Sequence, residues 1–283
     1  MRIGFIGAGR VGYTLGKYLS LKGLDISGYF SRHSEHAADA AEFTDTRYFE
    51  SIVDLINESD AVFITVSDNA LGQVFDDIKC YPEIYGKIVC HTSGALSSEI
   101  FRDSPYQVYG YSVHPMYAVS DKYTSYKSFS NAFITIEGSP EHLEEMIEIF
   151  SSSGLKTGTI SSDSKSKYHA ASVVASNLIC GIYGFGKRLL MDCGMNSQMA
   201  ETALCGLFRD NAVGITEKGV VSQLTGPLER NDTNTVRKHL DVLESEDRNL
   251  YRMCSMEVLK IAKEKNKETD YKEMEDILKG GDC

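Results

Sequence analysis

Seven short apolar runs mark the first part of the chain, at residues 2–6, 24–30, 61–66, 87–91, 107–113, 132–136 and 156–160. Between most of them lie stretches whose apolar positions recur at helical spacing: 11–22, 34–41, 52–57, 70–80 and 141–153. This alternation predicts right-handed βαβ units and a largely parallel, doubly wound sheet. Past residue 160 the pattern changes. Helical periodicity takes over at 165–193, 197–219, 233–243 and 247–265, with no convincing strand. The expected architecture is α/β, with an N-terminal doubly wound domain (1–160) and an all-α C-terminal domain (161–283). The boundary falls at the composition shift around 161–164. Residues 260–279, rich in Lys and Glu, read as a solvated helix or frayed tail.

Composition agrees with a chain that buries a sizeable core. Forty-two per cent of the residues are hydrophobic, 24% are charged and only five are proline, which excludes disordered and collagen-like classes. No stretch approaches the roughly 18 uninterrupted apolar residues of a membrane span. The longest candidate, 170–186, is broken by Ser172, Ser176 and Asn177. An apolar strand begins at Ile3 and runs straight into glycines, unlike a signal peptide. The expectation is a soluble, cytoplasmic protein. With 29 Lys+Arg against 40 Asp+Glu, the net charge of −11 argues against nucleic acid or an anionic membrane as partner. The seven cysteines are odd in number, widely spaced and never in a C-x-x-C pair. That usage suits free thiols in a reducing compartment, with no metal site.

The motif of greatest weight is Gly7-Ala8-Gly9-Arg10-Val11-Gly12, which follows a strand and opens an amphipathic helix. In that context G-x-G-x-x-G reads as a dinucleotide cradle. Gly7 permits the turn, Gly9 lets the backbone approach a pyrophosphate, and Gly12 allows close helix–strand packing. The helix N-terminus supplies the anion site. An NAD site has an acid about 20 residues on, at the end of the second strand. Here that strand ends Ser31-Arg32-His33, and neither Asp25 nor Glu35 stands at its tip. Ser31 and the Arg32 guanidinium suit a 2′-phosphate, so NADP(H) is the expected cofactor. The polar tips of later strands, Val66-Ser67 and His91-Thr92-Ser93, are expected at the nicotinamide end, because ligands lie beyond the carboxyl ends of the strands.

A second signal lies on the helical pattern after residue 164. At about 3.6 residues per turn, Lys165, His169, Ser172 and Ser176 share a sector of roughly 60°, with Asn177 on its shoulder. The remaining surface is Ala and Val and reads as buried. A polar stripe on a buried helix must find partners, and facing a cleft is one solution. Two cations one turn apart, Lys165 and His169, are expected to lower each other's pKa.

These motifs, with Ser112-Val113-His114-Pro115, Lys165-x-x-Tyr168-His169-Ala170-Ala171 and Leu224-Thr225-Gly226-Pro227-x-x-Arg230-x-Asp232, carry a resemblance that spans the chain to about residue 263. The sequence resembles bacterial Rossmann-like oxidoreductases with a helical C-terminal domain of uncharacterised function. They belong to the wider group of 6-phosphogluconate dehydrogenase, pyrroline-5-carboxylate reductase and ketopantoate reductase. The resemblance implies a Lys that protonates the substrate oxygen and an Asn four residues later that positions the carbonyl. Lys165 fits the first place, whereas His169 stands in the second and Asn177 comes later. Either Lys165 or His169 is therefore the proton donor. Arg230 is expected to meet a substrate carboxylate, with Ser93, His114, Ser176 and Asn177 orienting the substrate. The expected activity is NADPH-dependent reduction of a small carboxylated 2-keto compound, 2-dehydropantoate first. A pyrroline-5-carboxylate-type imine reductase and a non-catalytic NADP(H)-binding redox sensor are the alternatives. The long apolar helices, and the habit of the group, imply a homodimer joined through the helical domain.

Overall fold

The structure is a computed structural model that describes residues 1–280. All seven apolar runs are strands: β1 (Arg2–Ile6), β2 (Asp25–Phe30), β3 (Ala61–Ile64), β4 (Ile88–His91), β5 (Tyr109–Met116), β6 (Phe133–Gly138) and β7 (Lys156–Thr159). They form one sheet in the order β2-β1-β3-β4-β5-β6-β7, parallel throughout except where β6 runs against β5. The helices that cover it are α1 (Arg10–Leu21), α2 (Ser34–Thr44), α3 (Ile52–Glu58), α4 (Asp68–Ile78) and α5 (Leu143–Ser152).

Strand periodicity explains why the runs are continuous rather than alternating. Along β3, Ala61 and Phe63 join a core with α1, α2 and α5, while Val62 and Ile64 join a second core with α3 and α4. Successive side chains point to opposite faces, and here both faces are covered. Burying a side chain such as Phe63 contributes roughly 1.5–3 kcal/mol. This layering places the carboxyl ends of β1, β3 and β4 along one edge.

After β7 come α6 (Lys165–Val174), α7 (Asn177–Asp192), α8 (Ser197–Lys218), α9 (Val220–Gln223), α10 (Thr233–Val242), α11 (Ser245–Lys265) and α12 (Lys272–Lys279). The chain divides into two compact units, residues 1–179 and 180–283. The division thus falls near the start of α7, later than the 160/161 boundary expected from composition. The expected continuous helix 165–193 is two helices, interrupted at Ala175 and Ser176.

The second unit has its own core, in which Val236 and Leu240 of α10 meet Leu259 and Ala262 of α11 and Met274, Ile277 and Leu278 of α12. The last stretch is therefore not a frayed tail. Its apolar residues at three- and four-residue spacing form one buried face beneath the Lys and Glu that dominate its composition. By contrast, no residue of α7 is buried, and only Ala200 and Gly214 of α8 are. Leu178, Ile182 and Leu207 stand 55%, 44% and 71% exposed. No helix is long and apolar enough to cross a membrane. The six described cysteines are free thiols, and Cys283 lies outside the described residues.

Candidate active site

The glycine motif forms the turn between β1 and α1. Gly7 takes φ +100°, a backbone region that side chains rarely tolerate. Its carbonyl accepts a hydrogen bond from the Thr65 hydroxyl at 2.8 Å. A Cβ on Gly12 would come within 2.5 Å of that hydroxyl, so the third glycine protects the bond that pins the turn. Gly9 is the N-cap of α1, with no side-chain cap and no acid in the first turn. The first N–H groups are left for an anion. Beside them lies a groove of about 300 Å³ lined by Gly7, Ala8 and Gly9, by Ser31, Arg32 and His33, and by Val66 and Ser67. Arg32 is exposed and has no ion pair among the described residues. The residues fit a dinucleotide: uncapped helix N–H groups for the pyrophosphate and a guanidinium at the ribose end.

A polar cluster begins where this groove ends. Ser67 lines the groove and caps α4, and the next residue, Asp68, accepts a 2.9 Å hydrogen bond from Ser93 Oγ. Ser93 follows β4, and its loop is held from several sides. Its N–H donates to His91 Nδ1 at 3.2 Å, and its Oγ accepts from the N–H groups of Ala95 and Leu96. His91 Nε2 in turn donates to the Ser97 carbonyl at 3.1 Å. One ring nitrogen therefore accepts and the other donates, which is the neutral imidazole. Burial agrees, pushing the His91 pKa down to about 4 against the opposing Ser97 bond.

The Ser93 carbonyl faces α6. Lys165 Nζ donates to it at 3.0 Å and to Ser112 Oγ at 2.6 Å, and Ser112 Oγ donates to the same carbonyl at 3.1 Å. Lys165 is only 2% exposed. Desolvation lowers its pKa to about 8, partly opposed by the charges of Glu137 and Asp68. The depression expected from repulsion by His169 thus has burial as its cause. The expected burial pattern of the helix is also reversed: Lys165 is inside, while Ala170, Ala171, Val174 and Ala175 are exposed. Lys165 reaches inward because two acceptors, the Ser93 carbonyl and Ser112 Oγ on β5, meet at its Nζ.

Two further imidazoles border the cluster. His114 Nδ1 lies 2.8 Å from Tyr168 Oη, and burial, followed by the charge of Lys165, lowers its pKa to about 4. His169 Nδ1 is buried without a hydrogen-bond partner. Gly94 separates the two rings: a Cβ there would come within 2.6 Å of His169 Nδ1 and 2.8 Å of His114 Nε2. Only a glycine admits both rings.

Two family models match the chain. Residues 1–77 match an oxidoreductase family with an NAD-binding Rossmann fold, and residues 132–258 match a domain of unknown function, DUF2520. The chain joins an oxidoreductase Rossmann domain to a DUF2520 domain. The DUF2520 match begins just before β6, so it takes in the last two strands as well as the helices through most of α11. No curated protein sequence matches. Among solved structures, a Thermotoga maritima protein is 24% identical over 93% of this chain and 99% of its own, with a TM-score of 0.75. A pyrroline-5-carboxylate reductase of Coxiella burnetii is 16% identical over 94% of this chain and 97% of its own, at TM-score 0.61. An imine reductase of Myxococcus stipitatus in complex with NADP+ is 17% identical over 94% of each chain, at TM-score 0.57. At such identities the shared property is the fold.

Not every candidate of this oxidoreductase falls at the cluster. Ser93, His114, Lys165 and His169 do. Arg10, behind the glycine turn, donates to the Ser120 carbonyl at 3.4 Å, and Val11 is the second residue of α1. Ser176 donates to the Ser172 carbonyl at 2.6 Å and to Asn177 Oδ1 at 3.0 Å, where α6 gives way to α7. Arg230 belongs to the second unit, in the turn before α10. Thr65, Asp68, Ser112 and Tyr168 lie in motifs legible in the sequence, but sequence reasoning gave none of them a role of its own. Ser112 becomes readable only through strand register, which sets it opposite His91.

Proposed function

We propose that the protein is a cytoplasmic NADPH-dependent reductase of a small carboxylated 2-keto or imine compound, with 2-dehydropantoate the leading substrate. The observation that carries this reading is continuity. The groove is lined as far as Ser67, and from the next residue, Asp68, hydrogen bonds lead through Ser93 to Lys165, in the cluster that His114 and His169 border. A protein that only sensed the dinucleotide would have no use for that cluster. Gly7, Gly9 and the first turn of α1 hold the pyrophosphate, and Ser31 and Arg32 hold the 2′-phosphate. The bound cofactor supplies the hydride. Lys165 ties α6 to the Ser93 loop and so fixes the floor of the site. His169 gives the proton to the substrate oxygen or nitrogen, because Lys165 already donates to two protein acceptors whereas His169 Nδ1 has no hydrogen-bond partner. Asn177 serves the substrate carbonyl.

The test is NADPH consumption with a panel of 2-keto acids, including 2-dehydropantoate, and cyclic imines, including pyrroline-5-carboxylate. Turnover of a keto acid supports the leading substrate class. Preference for the imine supports the second reading, which the fold shared with pyrroline-5-carboxylate and imine reductases favours. Inertness toward the whole panel refutes both. With the active substrate, His169→Asn is expected to lower turnover roughly 10²–10⁴-fold, the usual contribution of general acid catalysis, and leave NADPH affinity unchanged.

We also propose a homodimer joined through residues 165–265. What supports it is the apolar surface left open on α7 and α8, including Leu178, Ile182 and Leu207.

A further inference from the structure

Tyr168 lies on α6 between the two proposed functional residues of that helix, and nothing above gives it a task. Its ring stands edge-on to His114, with centroids 5.6 Å apart at 89°, and its Oη is 2.8 Å from Nδ1. The direction of that bond decides what His114 offers the site. If Nδ1 carries the hydrogen, Nε2 presents a lone pair; if the phenol donates, Nε2 carries the hydrogen and presents a donor.

The surroundings choose between them. Burial raises the Tyr168 pKa, so the phenol keeps its hydrogen. Thr135, which sits opposite His114 on the neighbouring strand, and Ser172 both act to lower the phenol's pKa, the effect of hydroxyls that donate to its oxygen, so the phenol hydrogen is left for another acceptor. Nδ1 of His114 is the acceptor in reach. The opposite nitrogen, Nε2, is the one that abuts Gly94, and His169 Nδ1 faces the same Cβ position of that glycine without a partner.

We propose that Tyr168 is a positioning residue that donates to His114 Nδ1, fixing the imidazole with its hydrogen on Nε2, where it donates to the substrate oxygen beside His169. The arrangement rests on the reductase reading for its purpose but not for its existence. A neutral imidazole N–H does not transfer its proton readily; it stabilises charge developing on an oxygen. His114 and His169 then divide the work, one holding the oxygen and the other delivering the proton. Gly94 is the residue whose lack of a side chain lets them do so.

The experiment uses the full chain with ¹⁵N-labelled histidine and long-range ¹H–¹⁵N correlation at neutral pH, with the His114 signals assigned by their loss in His114→Gln. The expected result is an unprotonated Nδ1 and a protonated Nε2 for His114, with Tyr168→Phe moving both nitrogens toward a mixture of tautomers. A hydrogen on Nδ1 in the unaltered protein overturns the proposal by itself, whether or not the variant folds. So does a His114 pattern that Tyr168→Phe leaves unchanged. On a substrate identified by the panel, Tyr168→Phe should lower kcat about tenfold, the effect of losing one hydrogen bond, with the KM for NADPH unaltered. An unchanged kcat refutes the catalytic consequence. If the panel yields no substrate, the reductase reading fails while the tautomer measurement still decides the role of Tyr168.

Discussion

Replacing Lys165 by methionine isolates the energetics of the buried amine. In the parent protein its pKa falls from the ordinary 10.5 to about 8, chiefly because burial strips its ammonium of water. The folded state therefore binds fewer protons than the unfolded state between those two values, and stability rises with pH across that window. Below about 8 the amine is charged in both states and the full cost of burying the charge is present. At about 1.4 kcal/mol per pH unit the whole difference is worth about 3 kcal/mol. Other groups contribute their own pH dependence to both proteins, although Lys79 and Lys122, whose carboxylate partners raise their pKa values, stay charged in the folded state throughout this window. The informative quantity is thus the stability of the parent minus that of Lys165→Met. Methionine has a similar length and leaves no stranded acceptor, since Ser112 Oγ still donates to the Ser93 carbonyl. Urea unfolding at a series of pH values from 7 to 10 should show this difference moving by about 2–3 kcal/mol in favour of the parent as pH rises. A difference constant to within about 0.5 kcal/mol, the scale of an ordinary surface substitution, would refute the claim that Lys165 is held charged against desolvation.

Because Arg32 is exposed at the groove and free of ion pairs among the described residues, Arg32→Ala should weaken NADPH binding by roughly 1.5–3 kcal/mol, the range for hydrogen bonds to charged groups. NADH binding should barely change; equal calorimetric affinities of the unaltered protein for the two cofactors would remove the basis for NADPH preference. The homodimer predicts a light-scattering mass twice the 31.4 kDa of the chain at micromolar concentration, and a mass of one chain would count decisively against it.

Much of the first unit was readable from the chain because it depends on local pattern. Each apolar run was short, β-rich and bounded, and each became a strand. The spacing of Gly7, Gly9 and Gly12 after one of them already specified an uncapped helix N-terminus beside a turn that tolerates no side chains. The missing acid after β2 was equally a local fact. Other features depended on which distant residues meet. Lys165 and Ser93 are 72 positions apart, and only the pairing of His91 with Ser112 across β4 and β5 makes the acceptor pair that draws the amine inward. Helical periodicity groups Lys165 with His169, but it carries no information about which side of the helix the protein covers. The stripe was therefore read as polar residues on an otherwise buried surface, when the alanines are exposed and the lysine is inside. The same limit explains α12: its charges dominate the composition, while burial is decided by Met274, Ile277 and Leu278 finding α10 and α11. Periodicity sets what each element is and which of its faces is apolar. Long-range register and packing decide what covers that face, and so where a long, flexible side chain such as that of Lys165 ends.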